Sequence, residues 1–209
     1  MSNIAAYRTA VLALLMDASN VNFTMLDVDQ ALRWSLAEYS NARPLIRTYI
    51  FSVIATTGEH ELPADFVTRQ ITNVQLWNAD MDAVVDLDFY AFLLDEQWQV
   101  HTKYQVGAGE ILQISYSVIH QIDNLDAAAG TTVPDADETL LQLGAAGHAA
   151  LMRALNRIET INMNPEVVKA YRDTAADYLS RFAGLLHIEP GPSMGLPAFP
   201  GDYPTNLVF

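Results

Sequence analysis

Residues 140–161 read LLQLGAAGHAALMRALNRIETI, two glycines and five alanines around one histidine, and no other stretch limits the fold as tightly. On a helix, Gly144 and Gly147 fall on one side with Leu140, Leu151 and Leu155, while Ala146, Ala149, Ala150 and Arg153 fall on another. Two glycines inside a helix cost about 1 kcal/mol each against alanine. Bulk at those positions must therefore cost more than that.

A ligand pocket, a membrane helix and a tight helix–helix contact would each use small residues. Asp137, Glu138, His148, Arg153 and Arg157 interrupt the run, well before the roughly 20 apolar residues of a membrane span. His148 alone is not a ligand set, because one imidazole does not make a metal site. Close backbone approach remains, with Gly144 and Gly147 as packing positions. The expected partner is the helix over 168–182 or the one over 28–39.

Such a helix needs others around it. Four are expected, over about 3–18, 27–41, 137–159 and 165–187. In the second, Asp27 reads as the N-cap with Gln30 as its capping-box partner, and Val28, Leu32, Leu36 and Tyr39 form one face. Pro44 ends it, since the residue before a proline avoids the helical region. The fourth starts with Asn164 as N-cap, Pro165 at the first helical position and Glu166 in the first turn. Its stripe is Val168, Tyr171, Ala175, Tyr178, Phe182 and Leu185.

Between these ends, about residues 45–122 read as sheet. LIRTYIFSVIATT, the short strand in GEHELPADF, VTRQITNVQLW, AVVDLDFYAFLL and ILQISYSVI follow one another across turns without intervening helices, which implies antiparallel pairing. Residues 123–136 are a loop by composition. The expected fold is α+β and mainly helical: a bundle of N- and C-terminal helices, with an inserted antiparallel β lobe, as one domain over 1–189. Residues 190–209 hold five prolines and read as an extended tail ending in Asn206, Leu207, Val208 and Phe209.

Catalytic chemistry is not indicated. Gly191–Gly195 spells G-x-S-x-G, but a nucleophile elbow needs a strand-to-helix turn and a later histidine, and none follows Ser193. Asp80, Asp82, Asp86 and Asp88 form an acidic run with no glycine for a calcium loop. Asp86 and Asp88 read as one solvated strand face. The five histidines share no i,i+3 or i,i+4 spacing, and there is no cysteine. Trp34, Trp77 and Trp98 read as packing residues. No catalytic, cofactor or metal residue is expected. The N-terminal apolar patch, Ala10–Met16, lacks the basic cluster of a signal peptide.

Charge separates the remaining classes. With 25 acids against 11 bases the net charge is −14, which opposes gripping nucleic acid through its phosphates. Between Asp80 and Glu138 twelve acids face Lys103 alone, while the last two helices are nearly balanced. That asymmetry suits head-to-tail contacts between copies.

The order of DVDQALRWSLAEYSNARP, TTGEHELPADF, EILQISYSVIHQI and TTVP leading into ETLLQLGAAGHAALMRAL is similar to the head–tail connector adaptors of tailed bacteriophages, over about residues 25–185. The resemblance implies a non-enzymatic virion protein of the neck, made in the host cytoplasm. Copies would form a ring, usually a dodecamer, under the portal protein. The ring would extend the DNA channel, through which DNA passes without specific binding, and receive a tail or stopper protein. The C-terminal segment, with Leu207, Val208 and Phe209, would dock on the portal; its five prolines add the expectation that it is unstructured before that. Alternatives are another neck or tail-completion protein, a small metal-dependent enzyme with an acidic site, or a partner-binding module of the host.

Overall fold

The computed structural model describes residues 2–19, 21–63, 66, 70–78, 83–95, 97–158 and 165–187. Its elements run α1 (Ile4–Leu14), α2 (Met25–Ala42), β1 (Leu45–Ser52), β2 (Thr57–Glu61), β3 (Gln70–Asn78), β4 (Ala83–Asp86), β5 (Phe89–Leu94), β6 (Gln97–Val106), β7 (Ile111–Val118), α3 (Glu138–Ile158) and α4 (Pro165–Leu186). The fold is α+β: helices from both ends of the chain pack as a bundle, and the seven strands form a lobe between them. The tail after His187 and the Asn164 cap lie outside the described residues.

α1 is shorter than its sequence suggests, and the reason is local. Asp17 N–H donates to Leu12 O at 2.9 Å and Met16 N–H to Ala13 O at 3.1 Å, the double bond of a Schellman stop. Met16 takes the left-handed position with φ 55°, where a glycine would have advertised the helix end. The Asp17 carboxylate then accepts the backbone N–H groups of Val21, Asn22 and Phe23 at 2.8–3.1 Å. Burial alone would raise its pKa, but these donors outweigh burial and hold it below 3.8.

α2 starts at Met25, with its cap three residues before Asp27. Thr24 is the N-cap and Asp27 is the third residue of its capping box: Thr24 Oγ1 accepts from Asp27 N at 3.2 Å, and Asp27 Oδ2 accepts from Thr24 N at 3.0 Å. Asp27 therefore closes the box that it was expected to open. Val28, Leu32, Leu36 and Tyr39 are all buried. Arg43 leaves the helical region before Pro44, with φ −129° and ψ 75°.

The body has one core, formed by buried residues of all four helices and of the loop after β7. Polar ties fix the helices' order. Arg8 forks onto Asp29 with two bonds of 2.7 Å, joining α1 to α2. Ser2 donates N–H and Oγ–H to Glu138 at 2.9 and 2.7 Å, joining the N-terminus to α3. Tyr178 Oη donates to Leu14 O at 2.9 Å, joining α4 to α1.

The lobe has a second core, around Val53, Leu62, Ile71, Val74, Val100, Val106, Leu112 and Ile114. It lies between a four-stranded sheet ordered β1-β7-β3-β4 and a three-stranded sheet ordered β2-β6-β5, and every pairing is antiparallel. The imperfect alternation near Ile71 is a bulge, with the register shifting between Ile71 and Asn73. AVVDLDFYAFLL reads as one strand but is two. Leu87 N–H still bonds Val74 O in the first sheet, while Asp88 O accepts Lys103 N–H in the second, both at 2.9 Å. The ten-residue β6, which is not among the expected strands, is the centre of the second sheet.

Candidate assembly surfaces

Gly144 and Gly147 stand where α3 meets its neighbours. A Cβ on Gly147 would lie 2.8 Å from Leu179 Cγ and 3.1 Å from the Leu179 backbone nitrogen in α4. A Cβ on Gly144 would lie 2.9 Å from Phe182 Cγ and closer still to Ser35 Oγ. Ser35 is already committed, donating to Leu141 O at 2.9 Å. Both expected partner helices therefore press on α3. The α4 stripe is buried at Ala175 and Phe182 and partly at Tyr171 and Tyr178, but Leu186 takes the inward place given to Leu185, which is exposed.

His148 is a contact residue at this packed seam. Its Nε2 lies 3.2 Å from Glu38 Oε1, and its ring meets Trp34 edge-on at 5.8 Å. Burial pulls its pKa below 6.5 against the opposing pull of Glu38.

Where the chain enters and leaves the lobe, a polar cluster binds it to the body. The Asp137 carboxylate accepts from Tyr39 Oη at 2.6 Å and Arg43 Nη1 at 2.8 Å. Arg43 Nη2 donates to Leu185 O near the end of α4 at 3.1 Å. His120 N–H donates to Ser40 Oγ at 3.0 Å. Its ring nitrogens lie 3.0 Å from Thr132 O and 3.1 Å from Arg43 O. Burial lowers the His120 pKa against the pull of those two carbonyls. Burial and then the Asp137 bond raise that of Tyr39. The cluster orients the lobe on the body. Its members come from five separated segments, so no spacing in the sequence reveals it.

Asp86 and Asp88 do not share one strand face. Asp86 ends β4 in the first sheet and accepts from Gln75 Nε2 at 2.8 Å and Asn73 Nδ2 at 3.1 Å. Those bonds, Gln75 first, hold its pKa below 3.8. Asp88 belongs to the second sheet and sits 3.3 Å from Lys103 Nζ. The expectation of one shared strand face fails because the chain changes sheets between them. Asp80 and Asp82 lie outside the described residues, as do Ser193 and the tail residues Leu207, Val208 and Phe209. Among the described residues no cluster of His, Asp or Glu could hold a metal ion.

Apolar side chains are unusually exposed on the lobe. Ile46, Ile50 and Ile54 lie on and just after β1, and Tyr90, Phe92, Leu93 and Leu94 on β5. Trp77 and Trp34 are also 39% and 42% exposed, so only Trp98 of the three tryptophans packs against a core. On the body, a shallow groove of about 280 Å³ is lined by Ala5, Arg8, Thr9, Leu12, Ala13, Ala18 and Met25, at the small end for a ligand pocket. Among the described residues no helix is long and apolar enough to cross a membrane. No protein-family model matches the chain, and no curated protein matches it.

Proposed function

We propose that this chain is a structural component of a virion neck: an adaptor that forms a ring beneath a portal, extends the DNA channel and joins the capsid to a tail or stopper protein. The observation that carries the reading is the division of labour in the fold. The helical body is cross-tied around one core, while the lobe ends in open sheet edges flanked by apolar side chains. Open edges of this kind mark contact with other chains. The net charge of −14 suits a passage in which DNA slides without being held by its phosphates. The C-terminal segment, through Leu207, Val208 and Phe209, docks on the portal.

The test mixes the purified chain with purified portal particles and follows size by light scattering and shape by negative-stain imaging. A ring layer stacked on the portal is the expected result, together with its loss on truncation after Glu189. A chain that leaves portal particles unchanged but joins purified tails is a tail-completion protein, and the adaptor reading falls.

A further inference from the structure

Four sheet edges of the lobe are unpaired among the described residues: β1 and β4 in one sheet, β2 and β5 in the other. Natural edges are blunted by charge, proline, a bulge or short length. β4 has only four residues and ends in Asp86. β2 carries Glu59, Glu61 and a register shift. β5, FYAFLL, has none of these guards: no charge, no proline, and an unbroken register against β6. β1 is eight residues long with Arg47 as its only charge and an unbroken register against β7.

The unguarded β5 edge and the lightly guarded β1 edge lie on opposite sides of the lobe. β4 passes into β5 through two residues, which sets those edges together, and β1 passes to β2 through four, which sets the other two together. The β5 edge also has free backbone groups in a defined order. Lys103 N–H bonds Asp88 O, so in an antiparallel ladder the pairs at Tyr90, Phe92 and Leu94 are the bonded ones. The N–H and C=O groups of Phe89, Ala91 and Leu93 point to the open edge. The exposed side chains beside it, Tyr90 and Phe92, are apolar.

We infer that the β5 edge of one copy pairs with the β1 edge of the next copy, so that the lobes join head to tail. This rests on the ring reading and names the surface that builds the ring. Charge agrees with that choice. Arg47 is exposed and forms no ion pair among the described residues, while the β5 side carries Asp86, Asp88 and Asp95 against Lys103. Pairing β5 with β2 would bring the acidic β5 side against a strand that itself carries Glu59 and Glu61. Pairing β5 with its own counterpart in a second copy would leave β1 open. A contact between two unlike, opposite edges repeats and can close into a ring.

The chain has no cysteine, which allows a clean register scan on the full-length protein. One cysteine replaces Tyr90, Phe92 or Leu94, and a second replaces Ile46, Arg47, Thr48, Tyr49 or Ile50, so that parallel and antiparallel contacts are both sampled. Assembled protein is oxidised and run on non-reducing gels. At least one combination should lose its monomer band to a covalent ladder ending at the ring's copy number. Rings seen by imaging with no cross-link in any combination overturn the edge contact and leave the ring reading standing. Dimers from single variants at Tyr90, Phe92 or Leu94 mean β5–β5 pairing, and also overturn it. Protein that stays monomeric with and without portal removes both. As a second measurement, Phe92→Lys should keep the wild-type circular dichroism and lose ring assembly; assembly at the wild-type concentration counts against the inference.

Discussion

The body and the lobe solve the problem of a small core differently. In the body, thin side chains let α3 close on α2 and α4, and polar contacts tie helix to helix: Ser35 to Leu141, Arg8 to Asp29, Tyr178 to Leu14. In the lobe, two sheets enclose an aliphatic and aromatic core, and much apolar surface is left outside. The body's helices are tied to one another, whereas the lobe's two sheets end in open edges. Stability and assembly should therefore be separable, the first set by the body's contacts and the second by the lobe's edges.

The strongest way to break that comparison is to add bulk to the body. Gly147→Leu drives a side chain into Leu179, whose backbone nitrogen is among the nearest atoms and cannot turn away. The expected loss is about 3 kcal/mol, the upper end for overpacking, read as a drop in the urea midpoint. If the substituted protein unfolds at the wild-type midpoint, α3 is not packed as tightly as its glycines imply.

Next in size is the junction. Asp137→Ala leaves the Tyr39 hydroxyl and the Arg43 guanidinium without their shared carboxylate. A loss of about 2 kcal/mol is expected, since hydrogen bonds to charged groups are worth roughly 1.5–3. The sharper readout is local: cleavage by limited proteolysis should increase near residues 42–45 and 118–121 while both cores stay folded. Unchanged cleavage there would mean that the lobe is held by something other than this cluster.

Much of the body was legible in the sequence, because buried stripes at helical spacing, such as Val28, Leu32, Leu36 and Tyr39, have no other good use. Boundaries were less so. Met16 stops α1 in a left-handed conformation that its side chain does not announce, and Thr24 caps α2 ahead of a more conspicuous aspartate. The lobe was legible as antiparallel sheet but not as two sheets. A switch at Leu87–Asp88 leaves the alternation of side chains intact, and β6 hides its inward Val100 and Thr102 among His101, Lys103 and Tyr104. The junction was invisible, since Tyr39, Arg43, His120, Thr132 and Asp137 meet only in space.

Acid sharpens the comparison further. His120 and His148 in the body and His60 in the lobe are all pushed below 6.5 by burial, His60 also by His101. The unfolded chain therefore binds these protons first as pH falls. Stability is full above about pH 6.5 and declines below it as each imidazole approaches its lower folded pKa. Asp17, Asp86 and Asp126 have folded pKa values below 3.8, so their contribution is lost only in a separate window below about pH 4. Urea midpoints measured from pH 7 to 5 should fall in wild type. They should fall less in His120→Gln for signals from the body and less in His60→Gln for signals from the lobe. A flat profile over that range would mean that the imidazoles are not buried as described.

The smallest effect is a control on the largest. Gly184 lies in α4 of the same bundle as the packed Gly144 and Gly147 of α3, yet a Cβ there would meet nothing within 4 Å. Close approach gives no reason for glycine at this position, and glycine costs a helix up to about 1 kcal/mol against alanine. Near the end of α4 the gain from Gly184→Ala should be smaller, about 0.5 kcal/mol, read as a slight rise in the urea midpoint. The same substitution at Gly144 should lower the midpoint, because its methyl would collide with Ser35 and Phe182. Opposite signs for one chemical change in one bundle would separate glycines that admit a neighbour from a glycine that does not. If Gly184→Ala also lowered the midpoint, its face of α4 would be covered in solution by something the isolated fold does not contain.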